Sequence, residues 1–279
     1  MSENLYPGQE TIPDEQLRSL FEEVQQGMAQ LLVPSLVEAY YPSASNADFM
    51  ENGTGAFVEV SGVRLLVSND HVIEKEGLHH SFFGFDRFVP AASQRYGLGA
   101  PIDVGAATVS PSVWAQNGTQ ASSVPFQRFA DRHETVPHEI LWMAGYPGAR
   151  VRQLGNYSYS VCQALPTQEY LFHEGAEPHE KFDPDYHFAI AYSPERAQPF
   201  ETSGSSRSPG LSDPHGLSGS LVWNTRRLEC FYTNQPWSPN LAVVTGIVWA
   251  WPKSNYLIAT RVEHIRQFLL DAARLPSSP

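Results

Sequence analysis

From residue 13 to residue 32 the apolar positions recur at intervals of three and four. Leu17, Leu20, Phe21, Val24, Met28, Leu31 and Leu32 fall on one face, which predicts an amphipathic helix whose stripe packs in the core. Pro13, preceded by Thr11 or Ile12, suits a first turn, and Pro34 ends the pattern or kinks it. Residues 1–11 read as a loose tail. From residue 53 the period changes to two. GAFVEVSGVRLLVS alternates about Ser61-Gly62, the signature of a hairpin. Short strand-like runs follow: HSFFGFDRFV, IDVGAATVS, EILWMAGYP, NYSYSVCQAL, FAIAYS, LSGSLVW, NLAVVTGIVWAW and NYLIATRV. FHEGAEPHEKFDPDYH and ERAQPFETSGSSRSPGLSDPHG are polar and proline-bearing, and are expected as loops. Thr260 to Glu263 have the form of a capping box. Val262, Ile265, Phe268 and Leu269 then line one face of a helix that Pro276 stops. The plan is helix, about a dozen short strands, helix.

Composition sharpens this picture. The 279 residues are 42% apolar, with 22 prolines and 20 glycines, which suits a real core built from short strands and many turns. No apolar run reaches the roughly 18 residues needed to span a bilayer. Eighteen basic residues face 30 acidic ones, a net charge of −12. Such a chain repels phosphate, so nucleic acid and anionic membrane surfaces are not expected partners. The amino-terminal stretch lacks the basic start and apolar core of a signal peptide. Cys162 and Cys230 are the two cysteines, too few for a disulfide framework. Both points lead to a cytoplasmic protein.

The candidate chemistry begins at DPHGLSGS. Ser218 lies between glycines, and a backbone free of side chains can present amides to a developing oxyanion. Its plain reading is a small residue in a tight turn. The elbow G-x-S-x-G does not fit, because Ser220 replaces the second glycine and a strand-like run follows. A serine nucleophile needs a base. His71, in LLVSNDHVIEK, directly follows a strand and could be held by a rigid sheet; its plain reading is a loop histidine. Asp103, opening IDVGAA, could orient that histidine; otherwise it is an ordinary strand-start aspartate. Asp70 and Asp86 are rivals for its place. Metal is not expected: His133 and His138, His173 and His179, and His79-His80 lack the helical spacing of a zinc hydrolase. Cys162 has no glycine-bearing turn around it, and His215 fits a lid or surface position.

The order His71, Asp103, Ser218 is that of the chymotrypsin-like double barrel. GTGAFVEVSGVRLLVSNDHVI resembles the first-barrel stretch of chymotrypsin/trypsin-like serine proteases, and SNDHVI is most similar to the bacterial high-temperature-requirement branch. IDVGAA resembles the aspartate strand, AGYPG the entry to the second barrel, and DPHGLSGSLVW the nucleophile loop. TGIVWAW is similar to the substrate-facing strand, and NYLIATRVEHIRQFL to the last strand and closing helix. The match covers about residues 50–272.

This resemblance implies an all-β fold of two six-stranded barrels with an added N-terminal helix and a C-terminal helix. Its parts are a tail and helix over 1–50, a first barrel over 51–150, a second over 151–260, and a closing helix and tail over 261–279. It implies a trypsin-like serine endopeptidase without a cofactor, acting on a protein or peptide substrate. Ser218 would attack, His71 would carry the proton, Asp103 would orient His71, and the amides of Gly216 and Ser218 would form the oxyanion hole. Ser212, with Asp213 adjacent, would lie at the base of the primary pocket, and Trp249 and Trp251 along its wall, favouring small or uncharged side chains.

The departures matter as much. Leu217 stands where digestive members carry an acid that pairs with a freed N-terminus, and no peptide-binding C-terminal domain is expected. Two further readings stay open: a catalytically inactive scaffold on the same fold, and an enzyme held inactive until a regulatory partner orders the nucleophile loop.

Overall fold

The computed structural model describes residues 12–42, 50–92, 94–147, 152–154, 157–159, 162–173, 175, 177–192, 198–200 and 214–275. Its frame is two curled antiparallel sheets with a helix at either end. In the first sheet β1 (Leu36–Pro42) pairs with β2 (Met50–Val60), and β2 with β3 (Val63–Ser68). Outward from β1 come β4 (His79–Phe82) and β5 (Phe85–Pro90). Beyond β3 lie β7 (Val104–Thr108) and β6 (Arg95–Leu98), and the short β8 (Val124–Pro125) runs parallel to β2. A small ribbon, β10 (Arg152–Leu154) with β11 (Tyr157–Tyr159), stands apart. The second sheet is built on β9 (Leu141–Gly145), β12 (Cys162–Thr167), β13 (His187–Ala191), β14 (Gln198–Phe200), β15 (Leu221–Asn224), β16 (Val243–Ala250) and β17 (Tyr256–Arg261). Its order is β13-β17-β16-β15-β9-β12-β14. The described sheets thus hold eight and seven strands, the short β8 and β14 being additions at their margins.

Alternation along the strands explains the core. On β2, Ala56, Val58 and Val60 face a cluster shared by both sheets, while Phe57 faces the interior of the first sheet with Val37, Leu66 and Val72. Both faces are therefore apolar. The β2–β3 hairpin turns on Ser61 and Gly62, whose φ values of 51° and 81° are those of the twist-matched two-residue turn.

The terminal helices bind the sheets together. α1 (Asp14–Leu32) buries Leu20, Val24, Met28 and Leu32 and packs against β9 and β12. There the buried Gln25 side chain accepts a hydrogen bond from Trp142 Nε1 at 3.0 Å. The helix gives way at Val33–Ser35 and the chain enters β1, so the strand Leu36–Pro42 belongs to the first sheet. The C-terminal helix, Glu263–Arg274, buries Ile265, Phe268, Leu269 and Ala272 and packs against β2, β3, β7 and β17. The expected capping box does not form. β17 continues to Arg261, so the Thr260 hydroxyl donates to Ile102 O at 2.8 Å, and Glu263 Oε2 accepts from the His133 amide at 2.8 Å. Among the described residues no helix is long and apolar enough to cross a membrane.

His80 is a buried base in an apolar setting. Its ring lies edge-on to Phe57 and Phe82, at centroid distances of 5.7 and 5.1 Å. Its Nδ1 has no hydrogen-bond partner among the described residues. Burial is the main cause that pushes its pKa down to about 4 from 6.5. A depressed base takes up its proton more readily in the unfolded chain. The stability it gives is present above pH 6.5 and lost as pH falls toward 4. The loss is expected to reach about 3 kcal/mol. His80→Phe should flatten this acid limb, read by urea denaturation at pH 7 and pH 4.5. An unchanged difference between the two pH values would exclude His80 as its source.

Candidate active site

Three of the candidate residues meet in one cleft. His71 sits on α2 (Asp70–Ile73), a single turn directly after β3. The carbonyls at the end of this turn are held by Arg95, whose guanidinium donates to Ile73 O at 3.1 Å and Lys75 O at 2.5 Å. Asp103 precedes β7 in the left-handed region, φ 49°, a conformation that aspartate tolerates better than most residues. Its carboxylate grips His71 twice. Oδ2 lies 2.6 Å from Nδ1, and Oδ1 accepts the His71 backbone amide at 3.1 Å. An ionised carboxylate can only accept, so in that pairing Nδ1 is the donor, and in a neutral imidazole Nε2 then carries the lone pair. Asp103 is 5% exposed, so this contact is shielded from water on the carboxylate side.

The backbone around Asp103 is fixed from both sheets. Three successive carbonyls each accept a side-chain hydrogen bond. Pro101 O takes one from His187 Nε2 at 2.8 Å, Ile102 O one from Thr260, and Asp103 O one from Asn69 Nδ2 at 2.7 Å. His187 Nδ1 accepts from the Asp183 amide at 2.9 Å, which fixes the donor at Nε2. Asp70, the neighbouring rival, lines the same cleft but stands over Gly97, where a Cβ would fall 1.5 Å from its Oδ1. Its pKa is raised, first by burial and then by the Glu74 and Asp103 carboxylates. The side chain of Asp86 lies outside the described residues.

Ser218 belongs to two successive tight turns. Leu217 N donates to Pro214 O at 3.0 Å, and Ser220 N to Leu217 O at 3.0 Å. Gly216 and Gly219, third in each turn, have φ of 94° and 91°, as a type II turn requires. Neither the Gly216 nor the Ser218 amide has a hydrogen-bond partner among the described residues. Leu217 is 2% exposed and packs among Met143, Leu165, Tyr192, Val222 and Val248. Leu217 thus serves as an apolar anchor for this loop.

The cleft between the sheets has a volume of about 740 Å³ and is lined by His71, Asp103, Gly216, Ser218, Trp249 and Trp251, among others. The Trp249 ring lies 5.1 Å from that of His187, tilted by 31°, and Trp251 Nε1 donates to Ser254 O at 3.0 Å. No hydrogen bond joins Ser218 to His71 among the described residues. Ser212 and Asp213 lie outside the described residues. The other histidines are scattered, and among the described residues no three of His, Cys, Asp or Glu gather as a metal site would need. His133 is buried against Phe188 and bonds Thr245 Oγ1 at 2.7 Å.

Neither a known family nor a curated protein matches the chain by sequence. Among solved structures it is similar to the active form of the Rv3671c protease from M. tuberculosis, at 15% identity and TM-score 0.49, over 91% of this chain and 88% of that one. It is also similar to the serine protease domain of the Sesbania mosaic virus polyprotein, at 12% identity and TM-score 0.42, over 88% and 94%. Human heparin binding protein is a third such structure, at 11% identity and TM-score 0.47, over 88% and 94%. The fold itself is two curled antiparallel half-barrels with a helix at either end. It stands on the strand order and on the helices at both ends; what the site does has to come from its own residues.

Two features of the site were not singled out in the sequence. Arg95 secures the turn that bears His71, and nothing local marks it. Thr54 lies under the Ser218 loop, with its amide bonded to Ser218 O at 2.9 Å. The signal available was its setting, Gly53-Thr54-Gly55. Glycines inside a strand mark the close approach of another backbone.

Proposed function

We propose that this chain is a serine endopeptidase that cleaves peptide bonds through an acyl-enzyme. Ser218 Oγ adds to the carbonyl carbon while its proton passes to His71 Nε2. Collapse of the adduct breaks the C–N bond, and the same proton goes to the leaving amine. Water then takes the place of the amine, gives a proton to His71, and releases the acid and the free hydroxyl. The amides of Gly216 and Ser218 hold the oxyanion, each worth on the order of a hundredfold or more in rate. The observation that carries this reading is the twofold grip of Asp103 on His71 in the cleft that Ser218 lines.

That pair favours an enzyme over a scaffold, because a binding surface has no use for a fixed imidazole tautomer. The bonded turns over 214–220 and the seated Leu217 favour a loop set without a partner. Cys162 and Cys230 are both buried and free, in keeping with the cytoplasm as its place of action. A fluorophosphonate probe is expected to label the wild-type protein once and Ser218→Ala not at all, by intact mass. Equal labelling of both proteins would remove Ser218 as the nucleophile.

A further inference from the structure

Thr54 uses every polar atom it has on the nucleophile loop and its supports. The residue is fully buried in β2. Its amide donates to Ser218 O at 2.9 Å, and its hydroxyl donates to Gly216 O at 2.6 Å. The same hydroxyl accepts the Tyr146 amide at 2.9 Å, and its carbonyl accepts Ser68 Oγ at 2.6 Å. Two carbonyls of the loop, at Gly216 and Ser218, are therefore held from one residue of the opposite sheet.

A carbonyl and the following amide share one rigid plane. Holding Gly216 O fixes the plane between Gly216 and Leu217. The planes on either side carry the amides of Gly216 and Ser218, the two without partners. With the Gly216 carbonyl released, the Pro214–Leu217 turn can exchange between forms that differ by a flip of its central plane, which removes the Gly216 amide from its place. The backbone bond from Thr54 N would survive any substitution at this position. The bond to Gly216 O depends on the side chain. Valine has the shape of threonine without the donor, and serine keeps the donor.

We propose that the Thr54 hydroxyl is a positioning group for the two oxyanion amides, acting through the Gly216 carbonyl from the opposite barrel. This rests on the acyl-transfer reading above, and two readouts separate the two ideas. The first is the rate of fluorophosphonate labelling in Thr54→Val, Thr54→Ser and wild type, with Ser218→Ala as the blank. Thr54→Val is expected to label on the order of a hundredfold more slowly, and Thr54→Ser within about threefold of wild type. The second readout is amide hydrogen exchange at Gly219 and Ser220, whose amides bond to Val248 O and Leu217 O. Exchange there should quicken in Thr54→Val, while that of the β16–β17 pairing stays unchanged.

Labelling of Thr54→Val at the wild-type rate would overturn the proposal, as would equal slowing by serine and valine. If wild type itself is never labelled, the acyl-transfer reading fails, and exchange decides for Thr54: unchanged protection at Gly219 and Ser220 would overturn its role. Should Thr54→Val not fold, Thr54→Ala, which leaves room for a water, takes its place. It must then fall at least tenfold below Thr54→Ser.

Discussion

Asp103→Asn is expected to slow acyl transfer on the order of ten-thousand-fold at neutral pH while leaving the fold in place. The reason lies in the two bonds the carboxylate accepts. Oδ1 takes the His71 backbone amide and Oδ2 takes Nδ1–H. Asparagine has one acceptor and one donor group at those two positions. The backbone amide is always a donor, so it claims the carbonyl oxygen. The NH₂ group is then turned toward Nδ1, which must accept. The imidazole proton moves to Nε2, and the nitrogen needed as a base is occupied. Labelling kinetics with the fluorophosphonate probe measure the loss, and a thermal melt within a few degrees of wild type shows that the fold has survived. A rate within tenfold of wild type would mean that Asp103 does not set the tautomer.

Gly219→Ala should be damaging in a different way, because it attacks the ground on which the loop rests. Gly219 has φ 91°, and a Cβ there would stand 2.0 Å from Thr54 O and 2.2 Å from Ser68 Oγ. The first of these is backbone and cannot swing aside. The loop must lift, and lifting it breaks the bonds from Gly219 N to Val248 O and from Thr54 N to Ser218 O. Strain and clash together are expected to cost roughly 3 kcal/mol, along with nearly all labelling. Gly62→Ala is the matched control. Its φ is 81°, yet nothing lies within 4 Å of the added carbon. It should cost about 1 kcal/mol in urea and leave the labelling rate alone. Equal destabilisation by the two substitutions would show that backbone conformation alone, and not the contact with Thr54, makes Gly219 necessary.

How far the sequence revealed this molecule follows from the range of the forces involved. α1 was legible because its stripe is written in a local period, and the β2–β3 hairpin because Ser61-Gly62 names its own turn. β1 was missed. All its residues from Leu36 to Tyr41 are buried, so no alternation betrays a strand. β14 was hidden in a stretch whose composition says loop, since a three-residue strand is made by its neighbour rather than by its own preference. The capping box failed for a related reason: the pattern was present, but pairing of β17 with β13 and β16 extended the strand across it. The site divides in the same way. Ser218 and His71 stood out through their immediate surroundings. Asp103 could be chosen over Asp70 only through the resemblance, because their difference lies in a fold that brings residues 32 apart together. Thr54 reaches across 162 residues to Gly216, and no local rule foresees such a contact.

The crossing of the two end helices has a mechanical result. The segment that leads into the first sheet lies on the second, and the segment that leaves the second lies largely on the first. Prising the halves apart would strip Leu20, Val24 and Met28 from one side and Ile265 and Leu269 from the other. Each half is in effect clasped by an arm of its companion. The width of the gap between them is therefore tied to the packing of both arms.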